Sequence, residues 1–167
     1  MKSLLWDDLK AYIILFGRSI WASLNTYYAV LLKEKKNPDL IWIVTESPYE
    51  NMLPQLEEGI EIISQGFDLK PEIKSIVLPD GDIVQAGTEI GGLVNKLKQE
   101  YEVSLDITSA RKALVAGALL STTDNRSDHT YYLKIDTLNN ISKPYPMIPE
   151  QHHELVDFRA ETRKSKK

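Results

Sequence analysis

The sequence predicts an α/β fold, a Rossmann-like three-layer sandwich with a mostly parallel central sheet of five or six strands. Short, β-rich apolar runs recur along the chain, and between them lie stretches whose apolar residues fall at helical spacing. The scale agrees: 167 residues, 43% hydrophobic and 26% charged, suit one globular domain, so the strands are expected to share one sheet. Strands alternating with helices at these lengths pack by right-handed crossovers, with helices on both faces.

Ala11 to Phe16 is a continuous apolar run ending at Gly17, the pattern of a strand buried on both faces. Ile20, Leu24, Tyr27, Tyr28 and Leu31 then recur at helical spacing, and the helix is expected to run from Ile20 to about Lys35. Asn37-Pro38-Asp39 forms a turn, because Pro38 fixes its own φ and disfavours helix at the residue before it. Leu40 to Thr45 is the second strand; Ser47 and Pro48 stand where a cap and first helical residue belong, opening a helix that ends at Gly66.

Ile73 to Leu78 is the third strand, and Pro79-Asp80-Gly81-Asp82 a turn that can cap a helix from Ile83 to about Gln99. Gly87, Gly91 and Gly92 either weaken that helix, by about 1 kcal/mol each against alanine, or mark close packing. Val103 to Ile107 is the fourth strand, followed by a helix from Ala110 to about Leu120, and His129 to Ile135 is the fifth strand. Three prolines in Lys143 to Pro149 exclude a helix there and leave a strap or an edge segment. Glu150 to Arg159 reads as a short terminal helix.

Several classes of function are excluded early. Without cysteine there are no disulfides, thiolate nucleophiles or cysteine-held zinc. Asp7 and Asp8 precede a first apolar run too short for a signal-peptide core or a membrane span, which places the protein in the cytoplasm. A net charge of -4 argues against a broad grip on duplex nucleic acid, and the basic cluster Arg163 to Lys167 reads as a solvated end. His129, His152 and His153 lack metal-ligand spacing with carboxylates.

In open parallel sheets ligands bind at the carboxyl ends of the strands. Two loops there stand out. Gly17-Arg18-Ser19-Ile20-Trp21 combines a glycine, a cation, a hydroxyl and an aromatic ring at a helix start; Asp106 to Lys112 brings two cations to another. Helix N-termini offer unpaired N–H donors and a dipole that favours anions, so the two loops suit phosphate. The alternative is that Thr108 or Ser109 simply caps a helix whose first turn carries solvated cations. Trp42 lies in an apolar strand and is assigned to the core, whereas Trp21 either stacks on a nucleobase or covers its own helical turn. Neither G-x-G-x-x-G nor a Walker loop follows the first strand, so no dinucleotide cofactor is expected.

Three segments, Phe16-Gly17-Arg18-Ser19-Ile20-Trp21-Ala22, Asp106-Ile107-Thr108-Ser109-Ala110-Arg111-Lys112 and Tyr145-Pro146-Met147-Ile148-Pro149, together resemble the CRISPR-associated Rossmann-fold (CARF) domains that sense cyclic oligoadenylates. The likeness extends over most of the chain. The family's D-x-T-G-G-T-K motif is matched by Asp106, Thr108 and Lys112, while Ser109 and Ala110 replace small glycines, which makes amide contacts there less close.

The resemblance implies a CARF-like domain over residues 1–160, with 161–167 as a basic disordered tail. It implies a homodimer holding the ring across its two-fold axis, with no membrane or duplex nucleic acid as partner and no cofactor. An effector domain is expected to be missing, and Arg126 lies too close to His129 for the arginine–histidine gap of the associated ribonucleases. A stand-alone domain of this kind resembles the CRISPR ring nucleases, with a binding-only module and an unrelated nucleotide enzyme as the alternatives. The resemblance and position together give Ser19 and Lys112 as catalytic residues. Gly17, Arg18, Ile20, Trp21, Asp106, Thr108, Ser109, Ala110 and Arg111 are then the ligand-binding residues, and no metal is held.

Overall fold

The computed structural model describes residues 9–121 and 126–165; Trp6, Asp7 and Asp8, and the last lysines Lys166 and Lys167, lie outside the described residues. The chain forms β1 (Lys10–Phe16), α1 (Ile20–Ala29), β2 (Leu40–Glu46), α2 (Leu53–Gly66), β3 (Glu72–Leu78) and α3 (Ile83–Leu97). It continues through β4 (Glu102–Asp106), α4 (Lys112–Ser121), β5 (His129–Ile135), β6 (His153–Asp157) and α5 (Phe158–Lys164). The six strands form one sheet in the order β3-β2-β1-β4-β5-β6, parallel throughout except for the last pair.

The apolar run of β1 makes it the centre of this sheet. Its residues alternate between two cores: Ala11, Ile13 and Leu15 pack with α3 and α4 on one face, and Tyr12, Ile14 and Phe16 with α1 and α2 on the other. Trp42 packs against the first core from a half-buried position, with the Lys74 ammonium 5.7 Å from its ring centre.

Two glycines are packing devices. A Cβ on Gly87 would lie 2.6 Å from the Gly117 carbonyl oxygen, and one on Gly117 would lie 2.8 Å from that of Ile83, so α3 and α4 touch backbone to backbone. Gly91 faces α4 as well, whereas Gly92 meets nothing within 4 Å.

Four expectations need correction. Ser47 does not cap the second helix: the chain leaves β2 through a 3-10 helix, Ser47–Met52, with no side-chain cap, and α2 begins only at Leu53. The first helix is regular only to Ala29 and then widens into a π-helical turn, Val30–Glu34, before Lys35 turns left-handed at φ 52°. The Pro-rich segment contains one 3-10 turn, Tyr145–Met147, begun where the prolines already supply the φ a tight turn needs. It is held on the α1 side of the sheet, where Asn25 Nδ2 donates to the Lys143 carbonyl at 2.8 Å and Tyr145 packs between Tyr28 and His153. Finally, the expected helix over 150–159 is a 3-10 turn, Glu150–His152, and the strand β6, which pairs antiparallel to β5. The terminal helix begins only at Phe158, capped by Asp157, and runs on to Lys164.

The N-terminal rim of the sheet is tied by His129. Its Nδ1 lies 2.7 Å from Asp157 and its Nε2 2.8 Å from Glu102, which also pairs with Lys36 at 2.6 Å. The hydrogen bond to Asp157, reinforced by Glu102, outweighs partial burial and raises the His129 pKa.

Candidate functional site

β1 and β4 are neighbours whose chain connections lead to opposite ends of the sheet, so a crevice opens between the loops at their carboxyl ends. These are the two loops singled out in the sequence. They are stitched together at Ser109, whose hydroxyl donates to the Ser19 carbonyl at 3.0 Å and accepts from Gly17 N–H at 3.2 Å. Gly17 is required by this contact, because a Cβ there would lie 2.5 Å from the Ser109 carbonyl oxygen. The glycine therefore serves loop-to-loop packing.

Over this floor lies a depression of about 420 Å³ lined by Arg18, Ser109, Ala110, Arg111, Lys112 and Ala113. Lys112 is the first residue of α4, so its ammonium and the free N–H groups of that first turn share one end of the helix. Lys112 is exposed and has no hydrogen-bond or ion-pair partner among the described residues. Arg18 is exposed too, its Nε 3.5 Å from the Tyr49 hydroxyl.

Arg111 is engaged differently. In the strand order β4-β1-β2-β3 its side chain crosses the end of β1 to reach Glu46 Oε2 at 3.4 Å and Asp80 Oδ1 at 2.9 Å. These two carboxylates, Asp80 first, raise its pKa. They are the feature that the sequence reading missed; only the chance that residues ending neighbouring strands meet could have signalled it.

Ser19 caps α1: its Oγ accepts from Ala22 N–H at 3.1 Å. The hydroxyl proton is not used in that bond and remains free to donate to an anion. Ile20 is half-buried in the α1–α2 core, and Trp21 is 38% exposed on the first turn of α1.

Asp106 and Thr108 lie below the surface of the site. Asp106 is fully buried; its Oδ1 accepts from Thr108 N–H at 2.9 Å and its Oδ2 has no hydrogen-bond partner among the described residues. Burial pushes its pKa up to about 7, against the lowering effect of the Thr108 bonds and of Tyr12. The Thr108 hydroxyl lies 3.0 Å from that of Thr26 on α1 and accepts from Leu133 N–H of β5 at 3.0 Å. The pair therefore sets the height and angle of the β4–α4 loop, while Arg18, Arg111 and Lys112 meet the cavity.

Among the described residues no group of three or more His, Asp or Glu side chains is arranged to hold a metal, and no helix is long and apolar enough to cross a membrane. No protein-family model and no curated protein matches the sequence. Solved structures do match its fold. One is a type III CRISPR defence DNA nuclease activated by cyclic oligoadenylate, with 16% identity, a TM-score of 0.55, and coverage of 78% of this chain but 19% of that one. Another is Enterococcus italicus Csm6 bound to cyclic hexa-2'-fluoro-hexa-dAMP, with 11% identity, a TM-score of 0.57, and coverage of 95% of this chain and 44% of that one. This chain thus spans less than half the length of either. At these identities the likeness establishes a shared fold.

Proposed function

We propose that this protein is a ring nuclease: it binds a cyclic oligoadenylate, with cyclic tetra-adenylate the ring we favour, and opens it, switching off type III CRISPR signalling. The observation that carries this reading is Lys112, an ammonium without an ion-pair partner among the described residues, at the first turn of α4 in a cationic depression at the sheet's switch point. Its support is the shared fold with two proteins whose descriptions name such a ring as activator or ligand.

In the proposed reaction a ribose 2'-hydroxyl attacks the adjacent phosphorus in line and loses its proton to solvent, the bond to the 5'-oxygen breaks, that oxygen takes up a proton from solvent to leave as a hydroxyl, and a 2',3'-cyclic phosphate remains. The protein supplies no nucleophile and no metal; it bends the ribose into line and stabilises the charge that develops on phosphate. Lys112 stabilises that charge, and the Ser19 hydroxyl donates a hydrogen bond that orients the reacting phosphate or ribose. Arg18 lines the same depression as Lys112 and is a further cation there. The protein acts in the cytoplasm as a homodimer, each copy presenting the same loops to a symmetric ring.

A non-catalytic sensor or sequestering module is the second reading, favoured by the commitment of the Ser19 and Ser109 oxygens to holding the loops. Excess protein incubated with radiolabelled cyclic tetra-adenylate and EDTA separates the two. Linear products ending in a 2',3'-cyclic phosphate establish the enzyme; intact ring migrating with the protein establishes the binder; failure to retain the ring removes both.

A further inference from the structure

The two carboxylates on Arg111 are unequal. Glu46 is 6% exposed and fixed at the end of β2, and its Oε2, 3.4 Å from Arg111 Nε, completes no hydrogen bond among the described residues. Asp80 is half exposed and makes the shorter contact, 2.9 Å to Nη1. It sits on the β3–α3 turn, yet the turn does not need it: Gly81 supplies the left-handed φ of 93° and Asp82 caps α3 by accepting from Gln85 N–H at 2.9 Å. The contact with Arg111 is the hydrogen bond that Asp80 makes among the described residues.

We propose that Asp80 is an affinity-setting residue, whose contact with Arg111 Nη1 competes with a ligand phosphate, so that its release strengthens the hold of Arg111, beside Arg18 and Lys112, on a bound phosphodiester. Carboxylate and phosphate compete for the same planar fork, and phosphate fits it equally well. An ion pair this exposed contributes little and is screened by salt, so a ligand carrying several phosphates displaces Asp80 readily. Glu46, being buried, keeps its place and holds the guanidinium over the end of β1 when Asp80 leaves. The inference rests on the ring-nuclease reading only for the identity of the anion.

The test is equilibrium titration of Asp80→Asn, which keeps the side-chain shape and removes its charge, with cyclic tetra-adenylate and, separately, with inorganic tripolyphosphate. At low salt Asp80→Asn is expected to bind both probes more tightly, by up to about fivefold, with the gain shrinking as salt is raised. In an Arg111→Gln background the gain is expected to vanish, because no fork remains to be released. Equal affinities of Asp80→Asn and the unsubstituted protein for both probes overturn the proposal, as does the same gain in the Arg111→Gln background, which would reflect the general field of Asp80. A gain for tripolyphosphate with no retention of the ring by either protein supports the role of Asp80 and removes the cyclic oligoadenylate. Ring binding of equal strength in both proteins removes the role of Asp80 and leaves the proposed function standing.

Discussion

Lys112 and Arg111 are adjacent in sequence and opposite in circumstance: Arg111 is matched by two carboxylates, whereas Lys112 meets the cavity with its charge unopposed among the described residues. Lys112→Ala is therefore expected to slow ring opening by at least ~100-fold, since losing one preorganised donor to a developing oxyanion costs about 2.7–4 kcal/mol. Its exposure means that the melting temperature should hardly change. An unaltered single-turnover rate would take Lys112 out of the mechanism. Asp106 calls for the opposite kind of measurement. A carboxyl whose pKa rises from 3.8 unfolded to about 7 folded binds its proton more tightly in the native state, so its contribution to stability falls as pH rises between those values. Asp106→Asn keeps the acceptor for Thr108 N–H without the buried charge, and is expected to raise the melting temperature more at about pH 8 than at about pH 5. An equal shift at both values would show that Asp106 is already ionised in the folded protein at about pH 5 and that burial does not raise its pKa.

The helices and strands separate what a sequence can reveal from what it cannot. β1 and β2 were legible because strands buried on both faces must be continuously apolar, and the β1–α1 and β4–α4 loops because a switch point follows from strand order. β6 was not: five residues, His153 to Asp157, lack a clean alternation, and Asp157 is a good helix cap, so the segment resembled the start of α5. Nor could local pattern reveal that Arg111 reaches Glu46 and Asp80, a contact made only when four strands align. The ambiguity over the α3 glycines is resolved by their neighbours. In Gly87→Ala the new methyl meets the Gly117 backbone, where overpacking costs about 1–3 kcal/mol and outweighs the roughly 1 kcal/mol gain in helix propensity. Gly92→Ala has open space and keeps that gain. Urea denaturation should thus show the two alanines moving stability in opposite directions; stabilisation by both would mean that α3 and α4 can separate at little cost.

For the molecule as a whole, a net charge of -4 coexists with Arg18 and Lys112 gathered at one rim of the sheet, a local cationic site on an acidic protein. The proposed two-fold arrangement predicts a mass of two chains by light scattering, both with and without the ring, because the pocket is to be assembled before the ligand arrives. A mass of one chain in both states would leave a single pocket to hold the entire ring and would end the symmetric reading.

The outer border of the sheet narrows where a second copy could dock. β3 is one of its two edge strands, β6 being the other, and among the described residues β3 exposes Glu72, Lys74 and Ser75 around half-buried Ile73 and Ile76. A strand from another molecule laid along that margin would set like residues beside charged neighbours, so lengthening the sheet from chain to chain is discouraged. Pairing of copies along β3 is thereby discouraged, which leaves the β6 edge and the helical faces as the surfaces for the proposed dimer.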